Sequence, residues 1–121
     1  MRVAVIGVGG VGSAAARFLA EEGHQVIAFE QHAVGHEFGS SHGESRIFRL
    51  AYPDPRYTRM MREALPRWER LEAAAGEQLM VRCGGLLVGP PSHREVREVI
   101  ETLEHERAKH EVLDAAAVAE R

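Results

Sequence analysis

The chain has 121 residues, the length of one small domain. Its formal charge of −3 and its aromatic content of 6% provide neither the basic stripe nor the stacking rings of a nucleic-acid-binding surface. No apolar run approaches the ~20 residues that cross a membrane, and the single cysteine, Cys83, cannot form an internal disulfide. Because the first apolar run starts right after Arg2 and leaves no room for a signal peptide, we expect a cytoplasmic protein.

The opening of the chain predicts a strand, a helix and a second strand. Residues Val3–Ile6 are small or β-branched, as in a buried parallel strand. Residues 13–22 are mostly good helix formers, and Gly23 follows them as a stop signal. Residues 25–30 are again largely apolar and predict the second strand. This order is typical of a Rossmann-like βαβ unit of the α/β class.

A glycine pattern, G-x-G-x-x-G, lies between the first strand and the helix. In a dinucleotide site the first glycine permits a tight turn, the second lets the pyrophosphate approach the backbone, and the third lets the helix pack closely. The start of the helix attracts the anion, and an acid about 20 residues further on, here Glu30, accepts from ribose hydroxyls. The predicted contacts are Gly7, Val8, Gly9, Gly10, Val11 and Gly12. A βαβ unit that binds nothing is the alternative.

A long polar stretch, residues 31–44, follows the second strand and contains three glycines and three histidines. A structureless loop of this length is uncommon unless it is functional. Residues 45–52 then predict an extended segment that ends before Pro53. This segment carries Arg46 and Arg49, permanent cations that suit carboxylates and electron-rich rings. A pair of surface arginines in salt bridges is the alternative.

The second half of the chain alternates less regularly, so we expect the nucleotide-binding part to end near Pro53. Apolar residues spaced three to four apart predict a helix over residues 57–75, with Pro66 marking a kink or a boundary. Residues 79–88 predict one or two strands in which Cys83 is a buried thiol.

The last thirty residues predict a further helix, a short strand and a final helix. Ser92 and Glu95 have the spacing of a capping box that opens a helix. Residues 111–113 predict a short strand, and Asp114 predicts the N-cap of a helix that reaches Arg121. Because no stop signal follows this helix, we expect a truncated chain.

The fourteen residues Gly39–Tyr52, GSSHGESRIFRLAY, resemble a motif of the monomeric sarcosine oxidase and N-methyltryptophan oxidase group, which belongs to the D-amino-acid-oxidase-like flavoproteins. The resemblance continues through Trp68 and through residues 83–89, so it covers essentially the whole chain. It implies FAD rather than NAD, and oxidation of a secondary or N-methyl amino acid with release of hydrogen peroxide. It also implies that residues 1–52 form an FAD-binding unit and that residues 53–121 begin an incomplete α+β substrate domain.

The resemblance further implies roles for single residues. The glycines would hold the pyrophosphate and Glu30 the adenosine ribose. The residues that would line the cofactor elsewhere are Gln31, Ser40, Ser41, Arg46 and Ile47. His42, Ser45 and Arg46 would lie near the isoalloxazine, where a cation stabilises the charge of the reduced ring. Arg49 matches the arginine that binds the substrate carboxylate.

Two other functions remain open at this point: an NAD(P)-dependent dehydrogenase with the same opening, and an inactive remnant that keeps the FAD-binding fold. We expect the 121 residues alone to be inactive. The histidines show no metal-ligand spacing, so we predict no metal. The expected partners are a small amino-acid substrate and O₂, without nucleic acid or membrane, while the substrate and the oligomeric state stay undetermined.

Overall fold

The structure is a computed structural model that describes residues 1–120. It divides into two compact units, residues 1–46 and the residues from Ile47 onward. The first unit contains β1 (Arg2–Ile6), α1 (Gly10–Glu21) and β2 (Gln25–Phe29); the second contains α2 (Pro55–Ala75), α3 (Arg94–His105) and α4 (Ala115–Ala119). The division into functional domains at residues 52 and 53 stays a prediction.

The first unit is a parallel pair of strands joined by a helix. β1 and β2 pair in register, with Val3 opposite Val26, and the N–H of Gly7 extends the pairing by donating to the carbonyl of Phe29 at 2.7 Å. The predicted strand–helix–strand order is confirmed. However, α1 begins at Gly10, three residues earlier than predicted, because the second half of the glycine motif forms the first turn of the helix.

The helix α2 opens the regular part of the second unit. The Asp54 carboxylate caps it by accepting the N–H of Arg56 at 2.9 Å, and Gly76, at φ 69°, ends it in the left-handed conformation. The helix runs without a break through Pro66, so the predicted boundary there is wrong. Pro66 is exposed. A proline has no N–H for the carbonyl one turn earlier, and on an exposed face water can donate to that carbonyl instead.

The small core of the second unit lies around α3. Val99, Leu103 and Ala108 are buried, and Leu50 and Ala51 pack against them. Two buried hydroxyls fix the backbone that precedes α2. The Thr58 hydroxyl donates to the carbonyl of Leu50 at 2.8 Å, and the Thr102 hydroxyl donates to the carbonyl of Pro53 at 2.7 Å. Residues 50–53 are therefore tied to both α2 and α3.

Replacing Thr58 by valine is expected to lower the free energy of unfolding by about 0.5–1.5 kcal/mol, the net contribution of one hydrogen bond, because the Leu50 carbonyl keeps the N–H of Tyr52 as a second donor. Thr58 is fully buried, and valine has nearly the same shape, so no cavity complicates the comparison. Thr58→Ser keeps the hydroxyl and is the matched control. Urea unfolding of the three proteins measures the effect, and equal stability of Thr58→Val and the wild type would contradict the hydrogen bond.

Several predicted elements of the second half are wrong. Residues 79–88 and 111–113 form no strand. Residues 45–52, predicted only as an extended segment, form neither a helix nor a paired strand. A strand needs a neighbour for its ladder, and none of these segments has one among residues 1–120. Cys83 is consequently exposed rather than buried.

The predictions for the last two helices differ in outcome. The capping box at Ser92 and Glu95 does not form: α3 starts one residue later, and its N-cap is His93, without a side-chain bond. A turn closed by the N–H of His93 on the carbonyl of Pro90 places Ser92 before the cap. The predicted cap of α4 is confirmed, because the Asp114 carboxylate accepts the N–H of Ala117 at 2.9 Å. Arg121 lies outside the described residues.

Candidate dinucleotide and carboxylate site

The glycine turn between β1 and α1 disfavours larger side chains at its first position through its backbone conformation and at its last position through lack of space. Gly7 has φ 88°, which side chains rarely adopt. A Cβ on Gly12 would lie 1.9 Å from the Gly7 carbonyl oxygen, so the helix packs directly on the turn. A Cβ on Gly9, by contrast, would contact only the Ser41 hydroxyl, at 3.4 Å. The turn is thus packed against the protein at Gly12, whereas its backbone can be approached by a ligand at Gly9.

The carboxylate of Glu30 joins the end of β2 to this turn. Its Oε2 accepts the N–H of Val8 at 2.8 Å, and its Oε1 accepts the N–H of Gln31 at 2.8 Å and of His32 at 3.3 Å. Only 14% of the side chain is exposed. The Val8 bond is the main cause that keeps the pKa of Glu30 below its ordinary value, and the His32 and Gln31 bonds add to it against the opposing effect of desolvation. Glu30 is therefore ionised and held at the turn.

The first unit is expected to lose stability in acid through Glu30. Its folded-state pKa lies below the ordinary value of 4.5, so the stabilisation is complete above that pH and is lost as the pH falls through the lowered value. Amide hydrogen exchange at Val8 across an acid titration measures the effect. Glu30→Gln should remove this pH dependence, whereas Glu37→Gln, in the exposed loop, should keep it. A variant Glu30→Gln with the wild-type acid profile would contradict the assignment.

A histidine that the sequence prediction passed over stands beside Glu30. The Nε2 of His36 lies 3.5 Å from the Glu30 Oε1, and only 18% of the His36 side chain is exposed. The Nδ1 of His36 accepts the N–H of Phe38 at 3.1 Å, so Nε2 carries the proton of the neutral ring and faces the carboxylate. The rings of His32, His36 and Phe38 form one cluster, with centroids 4.7–5.9 Å apart. No periodicity marks such a loop residue in the sequence.

The start of α1 has backbone donors that can face a ligand. Gly9 is its N-cap and has no side chain to satisfy them. The N–H of Gly10 donates to the Ser41 hydroxyl at 2.9 Å, while the N–H groups of Val11 and Gly12 have no partner within residues 1–46. Ser41 thus lies against the glycine turn, although thirty-one positions separate it from Gly10 in the sequence. Its role in lining the cofactor stays a prediction.

Arg46 folds the loop that carries the predicted motif. Its guanidinium donates to the carbonyl of Ser45 at 2.7 Å, of Ser40 at 2.9 Å, and also of His42. The His42 ring in turn contacts the carbonyl of Gly39. The structure therefore brings together Ser40, His42, Ser45 and Arg46, four of the predicted site residues, around one cation that has no carboxylate partner within the first unit.

The two remaining predicted residues, Ile47 and Arg49, belong to the second unit. Ile47 is 87% exposed. The Arg49 guanidinium carbon lies 4.8 Å from the centroid of the Tyr52 ring, and Arg49 is itself exposed. The side chain is thus free to meet a ligand carboxylate.

A cleft of about 440 Å³ opens at the end of the two strands, lined by Ile6, Gly7, Phe29, Glu30 and Gln31. Its walls include the glycine turn and the carboxylate, together with apolar surface of Ile6 and Phe29. A closed glycine turn, free N–H donors and an ionised acid fit a dinucleotide. No three His, Cys, Asp or Glu side chains within residues 1–120 come together as metal ligands, and no helix of that range is long and apolar enough to cross a membrane.

Comparison with protein families decides which class of dinucleotide protein this is. The family model described as FAD dependent oxidoreductase matches residues 2–121. The chain belongs to this family. The resemblance found from the Gly39–Tyr52 motif is thereby confirmed, and the alternative family of NAD(P)-dependent dehydrogenases is not the one that the sequence matches.

Curated relatives of this FAD-dependent oxidoreductase chain carry the names of amino-acid oxidases. It is 38% identical over 117 residues to the human peroxisomal sarcosine oxidase, and the matched residues make up 97% of the chain and 30% of that protein. It is 37% identical over 120 residues to the monomeric sarcosine oxidase of Streptomyces avermitilis, covering 98% and 31%. The N-methyl-L-tryptophan oxidase of Yersinia pestis is 32% identical over 118 residues, covering 97% and 32%. The chain thus spans about a third of the length of these relatives.

Proposed function

We propose that this chain provides the FAD-binding opening and part of the substrate site of an oxidase of secondary or N-methyl amino acids. The observation that carries the proposal is the bond from the Val8 N–H to the Glu30 carboxylate, which sets an ionised acid directly at the glycine turn. Such an acid at the ends of paired parallel strands is the feature that receives an adenosine ribose. The names of the relatives support the oxidase activity and the amino-acid substrate.

The proposed FAD grip divides between backbone and side chains. The N–H groups of Val11 and Gly12 would donate to the pyrophosphate, which the absence of a Cβ at Gly9 lets approach. Glu30 would accept from the ribose through the lone pairs that its backbone donors leave free. Ser41, already bonded to Gly10 at 2.9 Å, and Gln31, in the cleft wall, would line the cofactor.

The proposed chemistry assigns different work to the two arginines. FAD, when bound, would accept two electrons from the amine, which becomes an imine, and O₂ would take up these two electrons with two protons to give hydrogen peroxide. Arg46 would stabilise negative charge on the isoalloxazine ring, together with His42 and Ser45. Its guanidinium is held by backbone carbonyls and is not neutralised by a carboxylate in its unit. Arg49 would fix the substrate carboxylate through a two-pronged hydrogen bond, which orients the amine carbon.

The proposal extends to the organisation of the protein. Residues 1–52 would serve FAD, and residues 53–121 would begin an α+β substrate domain that the 121 residues do not complete. We propose that the 121 residues alone do not oxidise amino acids. The part of the relatives that these residues do not match would supply pocket walls and further ligands of the cofactor. The protein is proposed to act in the cytoplasm on a small amino acid and O₂.

A substrate screen on the protein expressed from its entire gene tests the function. Peroxide release would be measured with sarcosine, N-methyltryptophan, proline and pipecolate, and glycine would serve as the primary-amine control. An oxidase of this class should respond to at least one secondary amine and should carry a flavin spectrum. Absence of flavin together with tight NAD(P) binding would reject FAD, and peroxide formation by the isolated 121 residues would reject their inactivity.

A further inference from the structure

The guanidinium of Arg49 rests on an aromatic ring that itself is held by the second unit. We propose that Tyr52 is a positioning residue, which holds Arg49 ready for the carboxylate of a small amino acid. The guanidinium carbon lies 4.8 Å from the centroid of the Tyr52 ring, within the range of a cation–π interaction. This inference rests on the proposed role of Arg49 and adds the residue that orients it.

Arg49 keeps its hydrogen-bonding capacity in this arrangement. Several arginines of the same unit are neutralised by carboxylates: Arg56 by Asp54 at 2.6 Å, Arg59 by Glu106 at 2.7 Å and Arg94 by Glu98 at 2.6 Å. Arg49 has no such partner within residues 47–120. An aromatic ring attracts a guanidinium through its π face and uses none of the five N–H donors. The Tyr52 contact therefore restricts the side chain and leaves its donors for a ligand.

The Tyr52 ring is fixed by its own neighbours. It is partly buried, and its centroid lies 5.6 Å from that of Tyr57, at an interplanar angle of 40°. Tyr57 belongs to the first turn of α2, which the Asp54 carboxylate caps. An aromatic pair at this separation contributes beyond the area it buries. Tyr52 is thus joined to a helix start whose position is set independently of Arg49.

The backbone on both sides of Tyr52 is anchored as well. The carbonyl of Leu50 accepts from the fully buried Thr58 hydroxyl of α2 at 2.8 Å, and it also accepts the N–H of Tyr52 at 3.0 Å. The carbonyl of Pro53 accepts from the Thr102 hydroxyl of α3 at 2.7 Å. The segment that carries both Arg49 and Tyr52 therefore has a fixed course, and the ring contact determines where the long arginine side chain points.

Preorganisation of this kind raises affinity because less side-chain freedom is lost when the ligand binds. The ligand that gains is one with a single planar carboxylate, which the guanidinium fork matches. We expect the loss of the ring to weaken binding of such a carboxylate by about two- to fivefold. The effect should fall on KM and on inhibition by a carboxylate, with little change in kcat.

The test uses the FAD-loaded protein expressed from its entire gene. The KM and kcat for sarcosine and the inhibition constant of acetate, a probe with only the carboxylate, would be measured for Tyr52→Leu and Tyr52→Phe. Tyr52→Leu should raise the KM and the inhibition constant, and Tyr52→Phe, which keeps the ring, should restore both. Trp68→Leu, which removes a partly exposed aromatic ring from α2, is the matched control and should leave both constants unchanged.

Two further variants separate the possible outcomes. If Tyr52→Leu does not fold, Tyr52→pentafluorophenylalanine keeps the ring and changes the electrostatic potential of its face from negative to positive. The ring then no longer attracts the guanidinium, so acetate binding should still weaken. In an Arg49→Ala background the effect of Tyr52→Leu should disappear. Weakened binding in Arg49→Ala with wild-type constants in Tyr52→Leu would overturn the positioning role alone. Unchanged constants in Arg49→Ala would overturn the proposed function of Arg49 itself.

Discussion

Replacing Gly12 by alanine is expected to destabilise the first unit by about 3 kcal/mol and to abolish FAD binding. The added Cβ would lie 1.9 Å from the carbonyl oxygen and 2.9 Å from the carbonyl carbon of Gly7. Both atoms are backbone, and Gly7 is constrained by its N–H bond to Phe29 and by its positive φ. The helix and the turn must therefore separate. Urea unfolding and titration of the unloaded protein with FAD, followed by flavin fluorescence, measure the two losses.

Two other glycines provide the controls for Gly12. A Cβ on Gly85 meets nothing within 4 Å, so Gly85→Ala should change neither stability nor FAD affinity. A Cβ on Gly9 meets only the Ser41 hydroxyl, at 3.4 Å. Because Gly9 is the N-cap of α1 and alanine is a poorer N-cap than glycine, Gly9→Ala should cost about 0.5–1 kcal/mol of stability and still weaken FAD binding. Full stability and full FAD affinity in Gly12→Ala would show that the turn is not packed as described.

Under the proposed function, replacing Arg49 by alanine is expected to lower kcat/KM by about 10²-fold for the amino acid that the substrate screen identifies. The variant removes two charge-assisted hydrogen bonds, each worth about 1.5 kcal/mol or more, and leaves the carboxylate without a partner. Arg49→Lys keeps the charge without the planar fork and should recover only part of the loss. Steady-state peroxide release measures both variants. Arg94→Ala, which breaks an exposed pair with Glu98, is the control and should retain the wild-type value.

A substrate without a carboxylate separates this role from general damage. Dimethylamine is a secondary amine that lacks the group Arg49 is proposed to bind. Its slow oxidation should be equal in the wild type and in Arg49→Ala. An equal loss with both substrates would assign Arg49 to folding or to the flavin instead of to the carboxylate.

The first unit could be predicted because its signals are local. Apolar runs of strand length, helix formers between them and glycines at the turn follow each other within thirty residues, and each part has one physical reading. What local patterns could not give is the partner of Glu30. The carboxylate accepts from Val8, twenty-two positions earlier, whereas the prediction assigned it only to a ribose.

The second half was predicted less well because its pattern depends on distant partners. Residues 79–88 have the apolar composition of a strand, yet no neighbouring strand pairs with them among residues 1–120. The hydroxyls of Thr58 and Thr102 fix residues 50–53 through contacts that only the folded chain creates. Tyr52 ended the recognised motif, but its contact with Arg49 could not be read from spacing alone.

The most direct measurement is the visible flavin spectrum of the protein expressed from its entire gene, before and after anaerobic addition of a secondary amino acid. Sarcosine, N-methyltryptophan and proline would each be added. An FAD-dependent amino-acid oxidase should lose the absorbance of oxidised flavin with at least one of them. When O₂ is admitted, the absorbance should return and hydrogen peroxide should form. A protein that purifies without flavin and binds none, or a bound flavin that no secondary amine reduces, would contradict the proposed function.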